Sequence, residues 1–190
     1  MNVDAAAVAD DIRVFGPIAE AFSVVRTNDG YLFVTNGSGT NLYEVFIFSS
    51  DVAGVVDTPP RKVAEAGRNS VLPSLAWNGA YATLAWTDMR ETTPAIYTAQ
   101  FDARGARLTH DKRISDEGIR GSFPSVAAQA LGGALVCFQQ RVSASNQEIY
   151  CSRLDDDGNV TLTTRVTNNA SDSLNPSVIQ HGKYSWVVWD

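Results

Sequence analysis

Residues 73–115 read PSLAWNGAYATLAWTDMRETTPAIYTAQFDARGARLTHDKRIS, and the same text returns in altered form on either side. Pro73-Ser74-Leu75-Ala76 recurs as Pro124-Ser125-Val126-Ala127 and as Pro176-Ser177-Val178-Ile179, at offsets of 51 and 52 residues. One step back from Ser74 lies Ser23, in Phe22-Ser23-Val24-Val25, without the proline. The next segment, Tyr81-Ala82-Thr83-Leu84-Ala85-Trp86, matches Tyr184-Ser185-Trp186-Val187-Val188-Trp189, with looser copies at Tyr31-Leu32-Phe33-Val34 and Ala134-Leu135-Val136-Cys137-Phe138. A third runs from Ala95 to Asp102 and recurs at Glu148–Asp155 and Glu44–Phe48; a fourth, Lys112-Arg113-Ile114-Ser115, recurs at Thr164–Thr167 and Arg61–Ala64.

Each segment is short, rich in Val, Ile, Tyr, Phe, Trp and Thr, and bounded by turn residues such as Asn78-Gly79, Arg104-Gly105, Gly132-Gly133 and Asp157-Gly158. These are strand and turn signals, and no useful window carries apolar residues at helical spacing. Four strands, a to d, in a tandem unit of about 51 residues are the pattern of a β-propeller blade. One such sheet cannot cover both of its faces, so successive blades must stack. The expected fold is therefore all-β: four-stranded antiparallel blades, three of them full (about 22–64, 73–115 and 124–167) and one partial (176–190).

The strand count leaves closure open. After a tail at 1–11, a d-type strand is expected at 12–15 (Ile12-Arg13-Val14-Phe15), which opens a single domain over 12–190. The chain reads as a piece of a larger ring, as a small four-bladed ring, or as an arc that combines with a second copy. An open arc exposes unpaired faces, so self-association is expected.

Composition narrows the partners. The net charge of −6 and pI of about 4.8 disfavour nucleic acid, whose phosphates need a basic face. No stretch approaches the roughly 20 apolar residues of a membrane-spanning helix. The N-terminal MNVDAAAVADD shows no signal peptide. A protein or carbohydrate ligand fits best.

Few residues carry chemistry in the sequence. Asp88 and Arg90, at the end of a b strand, read either as ligand contacts or as a turn or inter-blade ion pair; Trp86, Trp189 and Arg141 join them as candidate ligand contacts. Asp155 and Asp157, in Asp155-Asp156-Asp157-Gly158-Asn159, are weak candidates for a calcium site, with a turn role the main reading. No other cofactor is expected. Cys137 and Cys151 face each other across one hairpin, as a disulfide or as two packed thiols. His110 and His181 have no second ligand nearby in sequence. The recurring Ser74, Ser125 and Ser177 suggest hydrogen bonds that hold turns or join blades, and no catalytic constellation emerges.

The pattern Pro-Ser-x-Ala, Tyr-x-x-x-x-Trp-x-Asp-x-Arg, Ile-Tyr…Asp-x-x-Gly and Arg-Ile-Ser, carried best by Trp86, Asp88, Arg90, Ile96, Tyr97, Asp102 and Gly105, resembles the TolB-like (PD40) repeats of bacterial exported propellers. The resemblance spans about 12–190 and implies an exported chain, extracellular or periplasmic, engaged in binding. The sialidase Asp-box is absent, and the third unit has Cys137-Phe138-Gln139-Gln140-Arg141 where the second has Trp86-Thr87-Asp88-Met89-Arg90; two registers one residue apart fit, and the Asp is lost in both. The expected function is a non-catalytic ligand- or protein-binding module. The alternative is a glycosidase-like, sialidase-like or lyase propeller enzyme acting on carbohydrate.

Overall fold

A computed structural model describes residues 19–38, 43–65, 69–129 and 132–190. The expected strand at 12–15 and the tail at 1–11 lie outside the described residues. Among the described residues every regular element is a strand. The first sheet is built in order from β1 (Ala19–Arg26), β2 (Gly30–Ser38), β3 (Tyr43–Asp51) and β4 (Val56–Lys62). The second contains β5 (Ser70–Trp77), β6 (Ala82–Asp88), β7 (Ala95–Phe101) and β8 (Lys112–Arg113). The third contains β9 (Gly121–Ala128), β10 (Ala134–Ser143), β11 (Asn146–Leu154) and β12 (Val160–Arg165). A two-stranded sheet of β13 (Ser177–His181) and β14 (Tyr184–Val188) follows. All pairings are antiparallel between consecutive strands. This is the propeller blade expected from the repeat, three times complete and once partial.

The turns explain why the chain reverses where it does. Asn78 Oδ1 accepts the N–H groups of Ala80 and Tyr81, and Gly79 takes φ +100°. One carboxylate closes each c–d turn in the same way. Asp51 Oδ1 accepts from Ala53 and Val55, Asp102 Oδ1 from Arg104 and Ala106, and Asp155 Oδ1 from Asp157 and Asn159.

The first strands of successive blades, β1, β5, β9 and β13, contact one another and form the inner wall; β4, β8 and β12 lie outermost. The inner blade is sandwiched, so β6 and β7 are buried at every position. Alternation divides β6 between two neighbours: Leu84 and Trp86 pack with Leu32, Val34 and Ile47 of the first blade, while Ala85 packs with Val126, Val136 and Phe138 of the third. Each large side chain buried in this way contributes about 1.5–3 kcal/mol. The outermost β12 has no such neighbour and is exposed throughout.

Serine ties the wall together. Ser23 Oγ accepts the N–H of Leu75 (3.3 Å), Ser74 Oγ that of Val126 (3.0 Å), and Ser125 Oγ that of Val178 (3.0 Å). The recurring serine thus links each inner strand to the next.

Candidate functional site

Asp88 ends β6 and is fully buried. It accepts from the Trp86 indole N–H (2.8 Å), the Arg90 backbone N–H (2.8 Å), and Arg90 Nε and Nη2 (2.9 and 2.7 Å). Arg90 lies over the Tyr97 ring, 4.1 Å from its centroid, and Nη2 reaches Asp111 Oδ2 at 2.7 Å. Burial alone would lower the Arg90 pKa, but the two carboxylates outweigh it and raise it. Tyr97 is pushed up to about 12 by its burial and by its hydrogen bond to Glu91. Asp111 also pairs with Arg107, which donates to the Val63 carbonyl of the preceding blade. Trp86, Asp88 and Arg90 therefore form one inward-facing network that locks the second blade's b–c turn to its c–d segment.

Arg141 belongs elsewhere. Ser70 pairs with Asp88, and Gly121, one repeat on, pairs with Gln140. Met89 N–H donates to Asn69 O just as Arg141 N–H donates to Arg120 O. The structure thus sets Gln140 at the position of Asp88 and Arg141 at that of Met89, where it is exposed near the end of β10 and paired with Gln147. Gln140 keeps a smaller version of the contact, with Nε2 donating to Asp116 Oδ2.

Asp155, Asp156 and Asp157 do not converge. Asp155 closes its turn, and its pKa is lowered, first by the N–H of Asn159. Asp156 accepts from the Tyr81 hydroxyl (2.6 Å) and the Gly133 N–H (2.8 Å). The Asp157 carbonyl accepts from Lys112 Nζ. Among the described residues no three His, Cys, Asp or Glu side chains are grouped as metal ligands. The run instead docks the third blade's c–d turn onto the second blade.

Cys137 and Cys151 are direct partners in the β10–β11 register and are joined by a disulfide, with Cα atoms 4.0 Å apart. The bond lies in the core shared by the third blade and β13. His110 is exposed and contacts Glu65 at 2.7 Å.

The concave feature at the inner wall was not visible in sequence. Leu72, Phe123 and Asn175 each adopt left-handed φ (+55°, +54° and +51°), and each precedes the repeated proline. The ladder slips at these corners, between Val71 and Ser74 in β5 and between Ser122 and Ser125 in β9. A non-glycine residue in this region is strained, so recurrence in three successive blades marks a device of the fold. Leu72, Pro73, Phe123, Pro124, Asn175 and Pro176 line an open cleft of about 200 Å³ on the inner wall. The Asn175 N–H donates to Gln139 Oε1 (3.0 Å), and its side-chain amide donates to Asp190 Oδ2 (3.4 Å). Trp189 stands beside Asp190, partly exposed.

No family model and no curated protein matches this chain. Its fold is similar to solved structures. An α-L-arabinanase of Penicillium chrysogenum complexed with arabinobiose is 12% identical, with a TM-score of 0.61 over 89% of this chain and 57% of that one. A GH93 α-L-arabinofuranosidase of Fusarium graminearum, also with arabinobiose, is 14% identical, with a TM-score of 0.60 over 89% and 57%. An α-L-arabinofuranosidase of Clostridium thermocellum is 14% identical, with a TM-score of 0.56 over 90% and 61%. The chain spans about three-fifths of the length of these structures. At such identity the shared feature is the arc of propeller blades.

Proposed function

We propose that this chain forms part of a carbohydrate-acting propeller of the glycosidase type, with a saccharide chain seated in the inner-wall cleft. The observation that carries the reading is the row of left-handed corners before Pro73, Pro124 and Pro176, which opens a cleft on a fold shared with arabinan- and arabinoside-cleaving enzymes. Prolyl rings and Phe123 offer apolar surface to the C–H faces of sugar rings, and Asn175 offers an amide to a hydroxyl. Glycoside hydrolysis needs two carboxylates across the scissile bond. Asp190, in contact with Asn175, is a carboxylate beside the cleft that fits one of these roles. The disulfide supports an oxidising setting, extracellular or periplasmic.

One observation favours the second reading, a non-catalytic ligand- or protein-binding module: none of the six lining residues is ionisable. A panel of arabinosides, sialosides and galactosides, run beside a glycan-binding array, separates the two. Hydrolysis that falls at least about 100-fold in Asp190→Asn supports the enzyme. Glycan binding without turnover, weakened in Phe123→Ala, supports the binding module. Neither turnover nor glycan binding overturns the carbohydrate reading.

A further inference from the structure

The seam between the first and second blades differs from that between the second and third at the a–b and c–d turns, remote from the proline corners. Strand pairing fixes the equivalences: Gly30 corresponds to Tyr81, Trp77 to Ala128, and Ala103 to Asp156. In the seam between the second and third blades, the Tyr81 hydroxyl and the Asp156 carboxylate meet over the Gly133 N–H and close the space. In the seam between the first and second blades, the position of Tyr81 is Gly30, which sits tight against the Ser50–Asp51 backbone of its own blade, and the position of Asp156 is Ala103, so this seam lacks the hydroxyl–carboxylate contact. An open pocket of about 390 Å³ lies in this seam, lined by Asn28, Asp29, Trp77, Ala80, Asp102, Ala103 and Arg104. That volume falls within the ~300–1,000 Å³ typical of small-molecule sites.

Its lining is chemically specific. Trp77 is partly buried, packed on one side against the core, and contributes aromatic surface to the pocket. Asp29 and Arg104 are both more than half exposed and 3.9 Å apart, so each keeps hydrogen-bonding capacity. Asn28 is anchored by its amide to the Gly79 carbonyl (3.1 Å), which fixes the a–b turn and leaves its side-chain oxygen as an acceptor. An indole beside an acidic, a basic and an amide group suits a ring with apolar C–H faces and vicinal hydroxyls.

We propose that this pocket is a second ligand site, separate from the inner-wall cleft, which binds a single neutral sugar residue against Trp77 with Asp29 and Arg104 gripping its hydroxyls. Polar groups beside an aromatic wall give about millimolar affinity for one sugar ring, of the kind that anchors a polysaccharide while other surfaces act on it.

The test follows the four tryptophan indole N–H signals of the full chain by NMR during titration with methyl glycosides of arabinofuranose, xylopyranose and galactopyranose. Trp77→Phe identifies the Trp77 signal. The expected result is a saturable shift of that signal with at least one glycoside. Ala103→Asp, which installs the carboxylate that closes the neighbouring seam, should weaken binding at least about tenfold, as should Asp29→Ala. Phe123→Ala, in the inner-wall cleft, should leave the Trp77 titration unchanged, so failure here is distinct from failure of the proposed function. No shift with any glycoside into the millimolar range overturns the proposal, as does a shift that survives both Ala103→Asp and Asp29→Ala.

Discussion

Asp88 holds an indole N–H, a backbone N–H and a guanidinium from a position with no solvent contact. Asp88→Ala strands the Trp86 indole and half of the Arg90 fork inside the protein. The expected cost is about 3 kcal/mol, read as a lower denaturation midpoint at unchanged slope. Glu148 offers a pH test. Burial pushes its pKa up, but Thr167, the Asn169 N–H, Arg165 and Asn146 together hold it below its ordinary value of 4.5. Because the folded pKa is the depressed one, the stabilisation is fully present above about pH 4.5 and is lost as pH falls through the folded value. Glu148→Gln should lower stability at neutral pH and flatten the acid limb of a stability–pH profile; parallel curves for the two proteins would contradict this. At this scale the sequence was legible where a residue repeats and opaque where its partner is remote. The serines at one-repeat spacing suggested joints, and they are joints. The register of Arg141 against Arg90 was ambiguous by one residue in the sequence, because the third unit's a–b connection is one residue longer than the second's; the pairing of Gly121 with Gln140 resolves it. The left-handed Leu72, Phe123 and Asn175 share no residue type, so only the proline after them marks the corner.

Among the elements, the β10–β11 hairpin carries the strongest constraint. Its disulfide closes a short loop, and the chain-entropy estimate for a loop of about 15 residues is about 3 kcal/mol. Reduction, or the double change Cys137→Val with Cys151→Val, should lower stability by about 2–3 kcal/mol. Intact mass before and after reduction should differ by the two hydrogens of one disulfide. The sequence left disulfide and free thiols equal, because strand spacing sets them opposite but says nothing of oxidation. The a, b and c strands were readable to within a few residues, since turn residues bracket them, but the d strands expected at Arg61–Ala64 and Thr164–Thr167 lie earlier, at Val56–Lys62 and Val160–Arg165. The Trp77 pocket was not, because Asn28 and Asp29 of one blade meet Trp77 and Arg104 of the next only once the blades stack.

Across the whole molecule, both ends of the arc present apolar side chains of the kind that the inner seams bury. Phe22 is 79% and Val24 46% exposed on β1; Ile179, Trp186 and Val188 are each more than 60% exposed on β13 and β14. Surfaces of this kind associate, so light scattering of the purified chain should report species heavier than its 20.5 kDa in a concentration-dependent manner. Trp186→Glu should shift the distribution towards the monomer without lowering the unfolding midpoint, and a monodisperse wild-type monomer would contradict the expectation. The seams are also asymmetric. At each one the earlier blade offers a serine oxygen and the later blade brings the N–H; the later blade's c–d turn reaches back, as Asp156 does to Tyr81. Such a joint has a direction in time. During synthesis the half that waits is the half already made, so each blade after the first meets a docking face already synthesised, and the arc can be laid down in chain order, like courses of brick.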